Sequence, residues 1–252
     1  MSAAGAGGDG PILVGRVEAI FRYPVKSMGG EALEAAALGW HGLEGDRRLA
    51  LRRVGERGDF PWLTAGRLPD LVRYTPVAPA DAAAAGGEPT HIRTPDGEAL
   101  DALGEALAAD VARRHRAPVE MMRMKHGVFD DASVSIIGAG TVDAIGRLSG
   151  VEPDARRFRP NVVVRLTDEA PFAEDAWVGG ALTFGDGNEA PAVAITARDV
   201  RCAMVNIDPD SGALAPAVLK AVVAANQNNA GVYGTVTRAG RIAVGQAIWL
   251  RR

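Results

Sequence analysis

The sequence has one cysteine, Cys202, in 252 residues. A single thiol forms no intrachain disulfide and builds no Cys-rich zinc site. Histidine is scarce as well. His41, His91, His115 and His126 are scattered, with no i, i+4 pair and no carboxylate at ligand spacing. That argues against a structural zinc or a histidine-ligated metal. It leaves open a metal held by one thiolate plus ligands that the protein does not supply. No apolar run reaches the ~18 residues of a membrane-spanning helix, and the longest candidates are broken by Arg16 and Lys220. The first ten residues lack the basic and apolar regions of a signal peptide. An excess of either charge is also missing: 28 Lys+Arg stand against 31 Asp+Glu, a formal net charge of −3. There is thus no global attraction to nucleic acid or acidic membranes, and any anion site must be a local cluster of Arg and Lys. These absences lead us to expect a cytoplasmic protein with no nucleic-acid or membrane partner and a disordered segment at residues 1–10.

The composition that remains, 47% hydrophobic and 23% charged, is that of a globular chain long enough for one or two domains. Residues 12–21, rich in Val and Ile, read as a strand ended by Pro24. Residues 47–53 and 119–124 read as strands, and residues 77–90 as a low-complexity loop. Leu100, Leu103, Leu107 and Val111 fall at helical spacing, with Arg113, Arg114 and Arg116 in the last turns. Residues 130–150 read as a loop and then a helix carrying Val142, Ile145 and Leu148. Strands follow at residues 161–166 and 193–197, and a helix opens near Pro216. Residues 232–236 and 241–250 alternate as an antiparallel hairpin turned at Ala239-Gly240. Strands outnumber helices, so the expected fold class is mainly β with a few helices (α+β), barrel-like.

Four stretches place polar residues where pattern does not require them. Lys26 and Ser27 follow a strand at Tyr23-Pro24-Val25, on a turn suited to an anion or simply to solvent. Gly45-Asp46-Arg47 is a turn whose Asp can cap backbone. Arg156-Arg157-Phe158-Arg159-Pro160-Asn161 packs three arginines just before a strand of buried type. That is costly without a counter-anion unless the cluster lies on the surface, and guanidinium forks suit phosphate. Arg201-Cys202 is followed by the turn Asp208-Pro209-Asp210-Ser211-Gly212. A lone Cys is often inert, but Arg198 and Arg201 beside it favour a thiolate, a nucleophile or soft-metal ligand.

Taken in order, these stretches resemble one family. Tyr23-Pro24-Val25-Lys26-Ser27, Gly42-Leu43 with Gly45-Asp46-Arg47, and Leu63-Thr64-Ala65 with Arg67 and Pro69 look like the N-terminal domain of MOSC proteins. Arg157-Phe158-Arg159-Pro160-Asn161, Pro171-Phe172 with Glu174-Asp175 and Trp177, and Arg201-Cys202 leading to Asp208-Pro209-Asp210-Ser211-Gly212 look like the MOSC domain itself. So does the closing Gly231-Val232-Tyr233-Gly234. That domain takes its name from the C-terminal part of molybdenum-cofactor sulfurase. The resemblance spans residues 11–252. It implies a MOSC N-terminal β-barrel-like domain at residues 11–120 and a MOSC domain at residues 121–252. It also makes the ambiguous Ala-rich residues 31–38 a strand.

The resemblance further implies a molybdenum cofactor (molybdopterin), as in the mitochondrial amidoxime-reducing proteins and their bacterial relatives. Carried over residue by residue, Cys202 is the catalytic, metal-ligating position. Lys26, Ser27, Arg47, Arg159, Asn161 and Arg201 are cofactor contacts. Asp131, Ala132 and Ser133 fall where the family has an Asp and small or hydroxyl residues near the cofactor. The implied activity is reduction of N-hydroxylated or N-oxide small molecules. Electrons would come from a separate flavin, haem or iron–sulfur reductase, because one cysteine cannot hold a Cys₄ cluster. One departure stands out. Where reducing members often read Cys-x-Arg-Cys, this chain has Asp199-Val200-Arg201-Cys202. That change motivates a second reading, a carrier of the cofactor or of a persulfide on Cys202. A third is a cofactor-free scaffold.

Overall fold

The computed structural model describes residues 10–77 and 87–252. The expectations for residues 1–9 and 78–86 therefore lie outside the described residues. Eleven residues, Ile12–Arg22, form the first and longest strand, β1. Short strands follow: β2 (Glu31–Leu33), β3 (Ala35–Gly39), β4 (Gly42–Leu43), β5 (Leu49–Arg53), β6 (Thr75–Val77), β7 (His91–Arg93) and β8 (Ala99–Asp101). Helix α1 (Glu105–His115), β9 (Val119–Arg123), β10 (Val134–Gly138) and helix α2 (Ala139–Ser149) come next. The chain closes with β11 (Val162–Leu166), β12 (Ala181–Phe184), β13 (Ala192–Val200), helix α3 (Ala217–Asn226), β14 (Asn229–Arg238), β15 (Gly240–Ala243) and β16 (Ala247–Arg251).

Seven strands close a barrel. Their order is β11-β10-β14-β13-β12-β16-β1, and β1 pairs back onto β11. The barrel thus unites β1 with six strands that follow residue 133. All neighbours are antiparallel except β10 and β11, which α2 connects as a parallel pair requires. Val17 and Ile20 both face the barrel core although they stand three positions apart. The register against β11 shifts between Val17 and Ala19, and that bulge keeps both side chains inward. With Val134, Ile136, Val164, Leu182, Phe184 and Val232 they fill the barrel. Each such side chain contributes about 1.5–3 kcal/mol of burial.

A second core lies outside the barrel. Leu49, Leu51, Leu63, Leu71, Ile92, Leu107 and Val111 pack together there, with Ile207 reaching in from the later half of the chain. A third cluster joins α2 and α3 through Ile145, Phe158, Val218 and Val222. The N-terminus of α2 is closed by the buried Glu174, whose carboxylate accepts from Gly138 N (3.2 Å) and Thr141 Oγ1 (2.9 Å). Among the described residues no helix is long and apolar enough to cross a membrane.

The mainly β class with a few helices is what the strand count predicts. Three local expectations need correction. Residues 99–116 are not one helix: Leu100 belongs to β8, and Leu103 is exposed at the turn before α1. A strand, β10, precedes α2, and Leu148 faces solvent on that helix. No hairpin forms at Ala239-Gly240, because β15 leaves the barrel to pair with β3 while β16 pairs with β12 and β1.

Candidate functional site

A cavity of about 480 Å³ lies beside the barrel, between the two parts of the chain. That is within the roughly 300–1,000 Å³ of small-molecule and cofactor sites. Lys26, Ser27, Arg47, Arg159, Arg201 and Cys202, scattered over 177 positions of sequence, all line it. Four cations and two carboxylates, Asp130 and Asp199, face the same space.

The turn after β1 presents Lys26 and Ser27. Lys26 N donates to Leu49 O (2.8 Å), which ties the turn to β5, and Ser27 sits at φ +67°. Lys26 is buried. Its Nζ donates to Asp130 Oδ1 (2.6 Å) and Val128 O (3.3 Å). Burial lowers the Lys26 pKa, while the Asp130 carboxylate pulls it back up. That carboxylate is itself 70% exposed, so it can swing off the lysine when another anion arrives.

Gly45-Asp46-Arg47 divides its labour. Asp46 is buried and accepts from Tyr23 N (2.7 Å) and Asn161 Nδ2 (3.1 Å), and it pairs with Arg47. It is thus the turn's cap. Arg47, at φ +51°, projects its guanidinium along the cavity wall, and Nη2 donates to Arg159 O (3.0 Å).

The arginine run sorts into two groups. Arg156 binds Asp154 and Asp210, with Nη2 2.7 Å from each carboxylate. Arg157 Nη2 reaches Asp208 (2.6 Å). Arg159 forms no ion pair among the described residues. Its Nη1 donates to Met28 O (2.6 Å), and its guanidinium carbon lies 4.1 Å from the Tyr23 ring centroid. Its Nη2 is buried without a hydrogen-bond partner. Burial brings the Arg159 pKa down to about 10, so the group stays charged at neutral pH. A part-buried guanidinium without a carboxylate partner is costly. It is the clearest sign in the cavity of an anion that belongs there.

The thiol end is built by a strand end. The register of β13 on β14 shifts between Arg198 and Val200. That leaves Asp199 buried between two exposed neighbours, Arg198 and Val200. Asp199 Oδ2 accepts from Ser135 Oγ (3.0 Å) and lies 2.7 Å from Arg201 Nη2, an ion pair by distance but not hydrogen-bond geometry. Burial pushes the Asp199 carboxyl up to about 6, against the pull of Arg201, Ser135 and Tyr233. Arg201 also donates to Ala230 O and Phe158 O, each at 2.7 Å. It is committed to holding strand ends together. Gly231, at φ +83°, completes this corner: a Cβ there would lie 2.6 Å from Ile136 O. Cys202 is a free, exposed thiol at the start of the next turn.

Four sequence-predicted residues, Asp131, Ala132, Ser133 and Asn161, do not line the cavity. Asn161 is fully buried behind it, bridging Ser135 N, Phe21 O and Asp46. Asp131 is exposed, and the Ser133 hydroxyl is buried without a partner. The neighbouring Asp130 lines the cavity instead. Phe60, Met204 and Tyr233 also line the cavity. Phe60 sits in a Gly- and Arg-rich loop and carried no signal in the sequence. His126 packs against His41 with tilted rings whose centroids lie 3.9 Å apart, and neither lines the cavity.

A closed barrel with a cofactor-sized cavity at its junction with a second core defines the class. A model of the MOSC domain matches residues 123–249. A model of the MOSC N-terminal beta barrel domain matches residues 14–133. The chain belongs to the MOSC-domain family, which is associated with molybdenum-cofactor binding and sulfurase-like proteins. Among solved structures, the YUAD protein from Bacillus subtilis is similar, with a TM-score of 0.51 at 14% identity, over 94% of this chain and 96% of that one. A second, described only as a hypothetical protein, gives a TM-score of 0.44 at 10% identity over 95% of this chain and 68% of that one. At these identities the first supports the fold alone, and the second is too distant to argue from. No curated protein matches the chain.

Proposed function

We propose that this chain holds a molybdenum cofactor in the cavity and acts as an oxidoreductase on N-hydroxylated or N-oxide small molecules. The observation that carries the reading is Arg159, charged, part-buried and without a carboxylate partner among the described residues, in one cavity with Lys26, Ser27, Arg47 and the exposed Cys202 thiol. That donor set fits the group. Lys26, Arg47 and Arg159 suit its phosphate, with guanidinium forks matching oxyanions. Ser27 offers a donor to its polar pterin. Cys202 supplies one soft ligand to a metal whose other sulfurs the cofactor brings. Bound there, the cofactor would relay the electrons that reductive N–O cleavage needs. The protein orients it: Arg201 fixes the strand end that carries Cys202, and Asp46 with Asn161 holds Arg47 against the wall. Asp199 can hold a proton at its carboxyl near pH 6. Electrons come from a separate flavin, haem or iron–sulfur protein, since one cysteine cannot build a Cys₄ cluster.

Asp199 favours a second reading. A buried carboxylate stands three residues before Cys202, where reducing relatives often carry a cysteine, and changes the polar surroundings of the thiol end. The protein would then carry the cofactor or a persulfide without reducing anything.

The test is the molybdenum content of wild type and Cys202→Ala, made in a host that loads a control molybdoenzyme. We expect about one metal per chain in the wild type, and metal loss or an altered metal spectrum in the variant. No metal in either protein overturns both readings. Turnover of an amidoxime with a chemical reductant supports the reductase. Rapid cofactor transfer to an apo-enzyme without turnover supports the carrier.

A further inference from the structure

The partners in the Lys26–Asp130 ion pair are unequal. The lysine side chain is 5% exposed and the aspartate 70%. Without a carboxylate, Lys26 is a buried charge with no counter-ion, which is strongly unfavourable. Asp130 loses little when the pair opens, because its carboxylate returns to water. Lys26 also donates to Val128 O (3.3 Å), whereas the Asp130 carboxylate has no hydrogen-bond partner but Lys26 among the described residues. The segment that carries Asp130 is fixed on either side of it. Val128 N donates to Arg47 O (2.9 Å), and Ser135 N donates to Asn161 Oδ1 (3.1 Å). Opening the pair therefore needs only the side chain and a few residues of backbone. The carboxylate lies in the field of the whole cationic wall as well. Desolvation at the edge of the cavity pushes its pKa up, but Lys26, then Arg47 and Arg159, pull it below the ordinary carboxylate range. Asp130 thus draws on the same three charges that suit a phosphate.

We propose that Asp130 is a built-in counter-ion of the anion site: it occupies Lys26 in the empty cavity, and the anion that fills the cavity must displace it. The proposal rests on the anion site of the cofactor reading above and adds how that site is regulated. A carboxylate tethered beside its lysine competes at an effective concentration in the mM range. An anion that reaches Lys26 alone is too weakly held to displace it. One that engages Arg47 and Arg159 as well succeeds, but it is held less tightly than the three cations would hold it without Asp130. The pair closes the site to weakly bound anions and keeps a tightly bound one exchangeable.

The test uses cofactor-free protein, with inorganic pyrophosphate as the probe and calorimetry as the readout. Asp130→Asn keeps the shape of the side chain and removes its charge. It is expected to bind pyrophosphate about fivefold more tightly than wild type, roughly the worth of one exposed ion pair. Asp210→Asn is the control. It removes an equally exposed carboxylate, 72% against 70%, whose partner is Arg156 and which does not line the cavity. Its affinity for pyrophosphate should stay within twofold of wild type. Any result in which Asp130→Asn gains no more than Asp210→Asn overturns the proposal. Weaker binding in Asp130→Asn would make the carboxylate a contact of the anion, and equal tightening in both would be an effect of net charge alone. Absence of binding in all three proteins overturns it too, and the molybdenum content of wild type then decides the cofactor reading separately. A selective gain in Asp130→Asn, in protein that never takes up molybdenum, supports the counter-ion, and the cofactor reading alone falls.

Discussion

Two kinds of cation lie a few residues apart in this chain. On the outer turn, Arg156 and Arg157 are neutralised by Asp154, Asp208 and Asp210. Asp208 also accepts from Ser211 N (2.9 Å), which closes that turn. On the cavity wall, Lys26 leans on an exposed Asp130, Arg47 on a buried Asp46, and Arg159 on no carboxylate among the described residues. The outer set explains itself as structure. The inner set has room for an anion, which the proposed cofactor would supply. A run of three arginines that reads as one cluster is therefore two devices, and only the second is expected to change cofactor binding.

The comparison can be broken most forcefully at Arg201, a cavity-lining cation that is fully committed. Arg201→Met removes its bonds to Ala230 and Phe158 and leaves the buried Asp199 without its cation. We expect a loss of about 3–5 kcal/mol at neutral pH, measured by urea denaturation. Asn161→Ala comes next. It strands Ser135 N and deprives Asp46 of a donor, at an expected cost of about 1–3 kcal/mol.

A pH measurement sharpens the contrast further. The Asp199 carboxyl is raised from 3.8 to about 6 in the fold, so the native state holds that proton more tightly than the unfolded chain. Its contribution to stability therefore falls as pH rises from about 4 to about 6. Other carboxylates, among them Asp208 and Asp210, have lowered values and act in the opposite sense. The difference between wild type and Asp199→Asn isolates the term: the stability of wild type relative to the variant should decline across that window. A flat difference would place the carboxyl at its ordinary value. The smallest effect is expected at Arg156→Ala, an exposed ion-pair partner, with a loss of at most about 1 kcal/mol and no change in bound metal.

Much of this site is legible in sequence because its parts are polar residues at turns. The Lys26-Ser27 turn, Arg47 and the arginine run stand out for that reason, and Cys202 because it is the sole cysteine and follows an arginine. What pattern misses is set by distant partners. Residues 241–250 alternate like half of a hairpin, yet β3, some 200 residues away in sequence, takes β15 instead. Val134 to Gly138 runs straight into α2 with Gly138 both ending the strand and capping the helix, so no loop separates the two elements and they read as one. Asp130 and Asp131 are indistinguishable as letters. Only the loop's path brings Asp130 to Lys26. The sorting of Arg156, Arg157 and Arg159 likewise depends on Asp208 and Asp210, which the sequence offers only as a turn.

The central claim is that Arg159 is uncompensated because a bound anion completes it. Its most direct test is pterin retained per chain in Arg159→Met and Arg156→Met, both purified from a cofactor-competent host. Each substitution is expected to change stability by no more than about 1 kcal/mol, so both proteins should fold. The account expects pterin to be lost in Arg159→Met and kept in Arg156→Met. Equal retention in the two would contradict it.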